Sequence, residues 1–162
     1  MSPAKEQGAP ATPVRLRGHH FICLQFFRGK GYSEAFVENL RTVVESAAET
    51  PALVVAGADD VCAACTGLAR DGSCLNPQTS DLHVNRNDRF AWRIFGVAPG
   101  DLLPLAEARR RLSADSVSVG RWRADACVGC IWESECEDGW DDLLGEEQRS
   151  TRAADDAQEA SD

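Results

Sequence analysis

The sequence lacks any segment that marks a secreted or membrane-spanning protein. No uninterrupted apolar run approaches the roughly 18 residues that a transmembrane helix needs. The first residues, MSPAKEQGAPATP, contain no apolar stretch after a basic one, so they do not resemble a secretory signal. We therefore expect a cytoplasmic protein with no membrane partner, in a reducing compartment where disulfides are rare.

The body of the chain also lacks a concentrated basic surface. The formal net charge is −9, but residues 137–162 contain ten acidic and two basic side chains, whereas residues 1–136 contain sixteen acidic and fifteen basic ones. Phosphate backbones are bound by clustered lysine and arginine. The near-neutral body and the acidic end therefore predict that nucleic acid is not a partner.

Common catalytic signatures are absent as well. No Ser-His-Asp or Cys-His arrangement with the sequence signature of a known enzyme family occurs, and we predict no catalytic residue. The segment Arg28–Gly31 (RGKG) lacks the G-x4-G-K-[ST] spacing of a phosphate-binding loop, and its glycines suit the end of a helix. The side chains left to carry chemistry are seven cysteines and the adjacent pair His19 and His20.

Large apolar side chains are scarce at both ends of the chain. Residues 1–13 are rich in Ala, Pro and Gly, and residues 145–162 are polar and acidic. Neither segment can bury enough surface to offset the entropy cost of ordering. We predict a disordered N-terminal tail over 1–13, a single cysteine-rich metal- or cluster-binding domain over 14–144, and a disordered acidic C-terminal tail over 145–162.

Hydrophobic periodicity predicts a predominantly helical α+β domain. Residues 14–17 and 52–56 read as short strands, and the helical crossover between them favours a parallel pair. Helices are predicted over residues 20–27, 34–50, 80–95 and about 101–112, with Ser33, Ser80 or Asp81, and Asp101 as caps. The expected architecture is a small two-stranded β element with packed helices and two cysteine-rich loops.

The cysteines are arranged as metal or cluster ligands. Seven cannot pair completely within one chain, and six of them form the patterns C-x2-C-x8-C and C-x2-C-x5-C. A two-residue gap lets both thiolates of a tight turn face one ion or cluster. The predicted metal ligands are Cys62, Cys65, Cys74, Cys127, Cys130 and Cys136, with Cys23, His20 and His19 as further candidates.

Each triad is one ligand short, because zinc sites and iron–sulfur clusters usually take four protein ligands. One arrangement is a single cluster held by four of the seven thiols. Another is two four-coordinate sites, in which Cys23 and one histidine complete the triads. The spacing leaves both arrangements open. It also leaves iron–sulfur and zinc open, because neither the common ferredoxin spacings nor the zinc-ribbon spacing occurs.

Three segments indicate a family: RLRGHHFICLQFFRGKGYSEAFVENL, GADDVCAAC, and CVGCIW followed by a last cysteine. From Arg15 to Cys136 the chain resembles the small bacterial and archaeal proteins catalogued as domain of unknown function 1284. All seven cysteines and both histidines fall on family positions. Gly18 stands where a proline is usual, and residues 101–125 match poorly. The resemblance favours an iron–sulfur cluster over zinc and implies no substrate.

The leading hypothesis is a small cytosolic iron–sulfur protein acting in electron transfer or redox sensing, with an unidentified redox or protein partner. We expect a 4Fe-4S cluster rather than 2Fe-2S. The alternative is a structural zinc-binding interaction module, in which the metal only stabilises the fold. The third option is a metal- or cluster-dependent enzyme that uses His19 and His20.

Overall fold

A small β-sheet and six α-helices make up residues 11–161, the part of the chain that the computed structural model describes. The strands are β1 (Arg15–Arg17), β2 (Ala52–Val55) and β3 (Leu102–Leu103). The helices are α1 (Gly18–Cys23), α2 (Glu34–Glu49), α3 (Asp81–Phe95), α4 (Leu105–Ser113), α5 (Ser116–Trp122) and α6 (Glu133–Glu159). The predicted helical α+β class is confirmed. Within residues 11–161, no helix is long and apolar enough to cross a membrane.

The sheet has three strands where the sequence predicts two. β1 and β2 are parallel, as expected, and β3 adds an antiparallel strand to the other edge of β2. The correction arises because the chain turns at Gly100, whose φ is 102°. The Gly100 amide donates to the Val54 carbonyl and the Val54 amide donates to the Asp101 carbonyl, both at 2.8 Å. Asp101 therefore leads into a strand rather than capping α4.

Side-chain caps fix the starts of α2 and α3 as predicted. The Ser33 hydroxyl accepts from the Phe36 amide at 3.1 Å, and the Ser80 hydroxyl accepts from the His83 amide at 3.2 Å. Such caps satisfy backbone donors that have no partner within the helix. α3 ends at Gly96, which takes the left-handed conformation with φ 63°.

The core lies between the sheet and the helices packed over it. Leu16 and Val54 from the strands, and Phe21, Phe95 and Leu112 from the helices, are each at most 1 % exposed. Burying one such side chain contributes roughly 1.5–3 kcal/mol. α1, although only six residues long, is thereby fixed in the centre of the fold.

The face that α3 turns inward is partly polar. Leu82 would face the core by helical periodicity but is 76 % exposed. Asn87 and Asp88 are buried instead, beside Ala91 and Phe95. Buried polar groups require partners. This face therefore contacts polar atoms of β1 and α1 as well as apolar side chains.

α6 continues through Glu159, where the sequence predicts a disordered tail from residue 145. Trp140 and Leu143 anchor its first half in the core, and Glu146 pairs with Arg109 of α4 at 2.6 Å. Strong helix formers such as Ala, Glu, Gln and Arg extend the helix from this anchor into solvent. At the other end, residues 11–13 have no regular structure, and the rest of the predicted N-terminal tail, like residue 162, lies outside the described residues.

Candidate metal centre

The predicted ligands lie on three separate connections of the fold. Cys23 is the last residue of α1. The first cysteine loop, residues 56–80, connects β2 to α3 and contains Cys62, Cys65 and Cys74. The second cysteine loop, residues 123–136, leads from α5 into the first turn of α6 and contains Cys127, Cys130 and Cys136. Helix packing therefore decides which thiols meet.

A tight turn sets the geometry of the second cysteine loop. The Cys130 amide donates to the Cys127 carbonyl at 2.9 Å, with Val128 at φ −61° and ψ 120° and Gly129 at φ 80°. These are the angles of a type II β-turn, whose third position needs positive φ and so favours glycine. The C-V-G-C turn thus fixes two thiols, and Cys136 follows in the first turn of α6.

Cys23 is held beside this loop by the 3-10 turn that follows it. In that turn, Phe26 lies against Trp140 of α6, with 4.2 Å between ring centroids. The approach requires Gly139, because a Cβ there would lie 2.6 Å from Phe26 Cδ1. Phe26 follows Cys23 by three residues, and Gly139 follows Cys136 by three. The packing therefore brings Cys23 next to the second triad.

The electrostatics of Cys23 indicate that it lies near all three of those thiols. Its pKa is raised well above the usual value, first by burial and then by the negative charge of Cys127, Cys130 and Cys136. The Cys23 side chain is nevertheless exposed to solvent. These four residues are called the four-thiol site below.

Three thiols of this site, Cys23, Cys127 and Cys136, are protonated at neutral pH while no metal is bound. Burial raises the pKa of Cys127 to about 12, and the neighbouring thiolates add to the rise. Burial likewise raises the pKa of Cys136. Arg123 near Cys127 and Arg28 near Cys136 oppose these shifts without reversing them. Since metals bind thiolates, occupation of the site must release protons.

The first cysteine loop folds its three thiols through a turn and a short hairpin. The Cys65 amide donates to the Cys62 carbonyl at 2.9 Å, which closes the C-x2-C turn. The Gly67 amide donates to Cys65 Sγ at 3.4 Å. Leu68 then pairs with Cys74 in an antiparallel bridge. Cys74 is thereby returned toward the C-x2-C turn.

Both histidines are held by buried carboxylates that the sequence analysis missed. His20 Nδ1 donates to Asp59 Oδ2 and His19 Nδ1 donates to Asp88 Oδ1, each at 2.7 Å. An ionised carboxylate only accepts, so Nδ1 carries the proton and Nε2 keeps its lone pair in each neutral ring. The two ring centroids lie 4.2 Å apart. Each imidazole thus has one nitrogen free to bind a metal or a proton.

A buried arginine, also missed from sequence, joins the two carboxylates. The Arg17 amide donates to Asp59 Oδ2 at 2.7 Å, and Arg17 Nε donates to Asp88 Oδ2 at 2.8 Å. Gly18 permits this arrangement, because a Cβ there would strike the backbone carbonyl oxygen of Asp88. Both carboxylates are therefore fully engaged within the protein.

These contacts set the charges of the network. Burial opposes ionisation of Asp59, but its interactions with His20 and the hydrogen bonds from the Arg17 and Cys62 amides outweigh it and hold the pKa of that carboxyl below its usual range. Burial also opposes ionisation of Asp88, yet His19 and Arg17 hold its pKa below the usual value. Burial lowers the pKa of His19 to about 4, and nearby positive charge assists. His19 is therefore neutral at physiological pH.

One group of candidate ligand atoms is compact. Among residues 11–161, ligand atoms of His20, Asp59 and Cys62 form the group that lies within 4.8 Å of one another, and no three atoms of the four-thiol site are that close. Thiolates on tetrahedral zinc lie about 3.8 Å apart, given Zn–S bonds of about 2.3 Å. A cubane cluster holds its thiolates on separate iron atoms, so it needs a wider set. Neither the four-thiol site nor the thiols of the first cysteine loop contain three ligand atoms that close, so this spacing does not distinguish the two sets of thiols.

Tyr32 lies between the two cysteine loops. Its hydroxyl accepts from Asn76 Nδ2 at 2.8 Å in the first loop, and its ring meets that of Trp132 edge-on at 5.6 Å in the second. Burial raises the pKa of Tyr32, and hydrogen bonds from Trp132 and Asn76 oppose the rise. One side chain therefore touches the residues that follow Cys74 and Cys130.

Comparison with known proteins identifies a family. A family model described as a protein of unknown function (DUF1284) matches residues 31–136, which is more than half of the chain. The chain belongs to this family. In this DUF1284 protein the matched segment contains both cysteine triads and Tyr32, while His19, His20 and Cys23 precede it. No curated protein and no solved structure matches the chain.

Proposed function

We propose that this DUF1284 protein is a small cytosolic iron–sulfur protein that binds a cluster at the four-thiol site and acts in electron transfer or redox sensing. The observation that carries the proposal is the position of Cys23 beside Cys127, Cys130 and Cys136. It supplies the fourth thiolate that a cluster usually takes. A 4Fe-4S cluster holds each of four thiolates on its own iron atom, which suits four thiols supplied by α1 and the second cysteine loop.

The surroundings of the site support electron exchange with a partner. Cys130 is exposed, and its neighbours Val128 and Ile131 are 70 % and 47 % exposed. Large apolar side chains on a surface favour contact with another protein. A redox partner that covers Val128 and Ile131 would come directly against a ligand of the cluster.

Positive side chains next to the ligands support a reducible cluster. Arg28 lies near Cys136, and Arg123 lies near Cys127 and 5.6 Å from the centroid of the Trp140 ring. Each electron added to a thiolate-bound cluster makes it more negative, so fixed positive charge nearby stabilises the reduced state. We therefore expect the potential to fall when either arginine is neutralised.

The test is metal and sulfide analysis of the full chain purified without oxygen. We expect a brown protein with about four iron atoms and four acid-labile sulfides per chain. Cys136→Ser should remove most of both. Cys74→Ser, the same change in the other loop, is the matched control and should leave the cluster in place. A colourless wild type whose four-thiol site holds zinc would overturn the proposal.

A second candidate function rests on the paired histidines. His19 is neutral, its Nδ1 is fixed by Asp88, and its Nε2 can accept a proton. These properties suit a metal- or cluster-dependent enzyme in which His19 and His20 move protons beside the metal. His19→Ala should then abolish a turnover while the iron content stays unchanged. Loss of iron instead would show that the histidine supports the metal site.

A further inference from the structure

The residues that approach one another most closely in the metal centre lie outside the four-thiol site. His20, Asp59 and Cys62 each place a ligand atom within 4.8 Å of the other two. The sheet explains the meeting: β1 and β2 are parallel, so the segments that follow them leave the same edge. His20 follows β1, and Asp59 and Cys62 follow β2.

Asp59 orients this group rather than acting as a ligand. Its Oδ1 accepts from the amides of Val61 and Cys62, both at 3.0 Å. Its Oδ2 accepts from the Arg17 amide and from His20 Nδ1, both at 2.7 Å. With both oxygens occupied, the carboxylate fixes the ring through Nδ1 and leaves Nε2 as the nitrogen available to a metal. Histidines that bind metals are commonly held through Nδ1 in this way.

The first cysteine loop supplies the remaining donors. The C-x2-C turn carries Cys65 on the same turn as Cys62, and the Gly67 amide donates to Cys65 Sγ. The hairpin that pairs Leu68 with Cys74 returns the third thiol, and the Cys74 amide is fixed by Asp81 at 2.9 Å. Three thiols and one imidazole make a closed tetrahedral set, which is typical of structural zinc.

The local charge also suits a dication. Three thiolates on Zn²⁺ leave one net negative charge, which a buried site must compensate. Arg17 is 2 % exposed, and its guanidinium lies near Cys62. The buried arginine, which is also paired with Asp88, thus places positive charge beside one of the thiolates.

We propose that Cys62, Cys65, Cys74 and His20 bind a single structural zinc ion, separately from the four-thiol site. A zinc-bound sulfur and nitrogen lie about 3.5 Å apart, since Zn–S and Zn–N bonds are about 2.3 and 2.0 Å. A ring nitrogen of His20 lies within 4.8 Å of Cys62 Sγ. The inference does not depend on the proposed cluster, because the two ligand sets share no residue.

The division of the ligands is tested by measuring zinc, iron and sulfide on the same anaerobic samples of the full chain. The wild type should contain about one zinc ion per chain in addition to any iron. His20→Ala and Cys74→Ser should each lose the zinc and keep the iron. Cys136→Ser should keep the zinc. Zinc that persists in His20→Ala, or iron that disappears together with zinc in Cys74→Ser, would overturn the inference.

Asp59→Asn provides a test that removes no ligand. The neutral amide can donate to Nδ1 and move the ring proton to Nε2, so zinc affinity should fall about 10- to 100-fold. Asp60→Asn is the matched control, because Asp60 is adjacent, accepts from the Arg15 amide at 2.7 Å and does not contact a histidine. Equal zinc affinities of the two variants would contradict the role of Asp59.

Cobalt substitution gives a spectroscopic readout of the site in the wild type, so the test does not depend on whether a cysteine variant folds. Co²⁺ added to the zinc-depleted full chain, with its iron retained so that the four-thiol site is filled, should show thiolate-to-cobalt charge transfer and tetrahedral ligand-field absorption. An octahedral spectrum without charge transfer would overturn the inference. A zinc-loaded protein without iron would refute the proposed cluster instead, so the two failures are distinguishable.

Discussion

The packing of Gly139 against Phe26 gives the sharpest prediction about how the fold builds the four-thiol site. Gly139→Ala adds a Cβ that would lie 2.6 Å from Phe26 Cδ1. Gly145→Ala, in the same helix, brings a Cβ only to the guanidinium of Arg149, the mobile end of an exposed side chain, at 3.0 Å. The two substitutions are chemically identical, and only the first strains the core.

The difference in stability follows from these contacts. Alanine gains about 0.8–1.0 kcal/mol of helix propensity over glycine at both positions, so this gain cancels in the comparison. The clash is about 1 Å inside a normal carbon contact. Phe26 cannot move away easily, because it is 6 % exposed and lies against Trp140. Overpacking of this kind costs about 1–3 kcal/mol, so Gly139→Ala should be less stable than Gly145→Ala by that amount.

Thermal unfolding monitored by circular dichroism measures this difference. At about 2–4 °C per kcal/mol, the Tm of Gly139→Ala should lie roughly 2–12 °C below that of Gly145→Ala. Iron content should fall in Gly139→Ala alone, because displacement of Phe26 moves Cys23 away from Cys136. Equal Tm values, or equal iron content in the two variants, would show that this contact does not position Cys23.

Two further predictions concern pH and backbone strain. The pKa of His19 is about 4 in the folded chain and about 6.5 when unfolded, so stability should fall by up to about 3 kcal/mol as pH drops from 6.5 to 4. Urea unfolding at several pH values measures this loss. An equal pH dependence of stability in His19→Gln would contradict its assignment to His19. Gly129→Ala should cost about 1–2 kcal/mol and also lower iron content, because φ is 80° in the C-V-G-C turn. Gly100→Ala, at φ 102°, should lower stability but leave the iron content unchanged. Loss of iron in both glycine variants would refute the explanation that Gly129 acts through the C-V-G-C turn.

Local signals in the sequence predict much of the fold. Ser33 and Ser80 begin their helices as expected, because the capping hydrogen bond spans only three residues. The parallel pair of β1 and β2 follows from two short apolar segments and the helix between them. β3 gives no such signal: its two residues form a strand only because the turn at Gly100 lays them against β2.

The candidate site is harder to predict because its parts are distant in sequence. The C-x2-C spacings identify the thiols, but the partner of Cys23 depends on Phe26 meeting Gly139 across more than a hundred residues. The role of Asp59 could have been predicted, since it follows β2 and the ends of parallel strands lie at the same edge of the sheet. Asp88 was not, because on the helical pattern of α3 a carboxylate beside Asn87 resembles an ordinary solvent-facing charge.

Tyr32 gives the protein an internal reporter. It is the single tyrosine of the chain, and it contacts Asn76 in one cysteine loop and Trp132 in the other. Fluorotyrosine incorporated during expression would therefore produce one fluorine resonance, placed between both candidate sites. Occupation of either site could be followed from the shift and width of that one signal, with every ligand left unaltered.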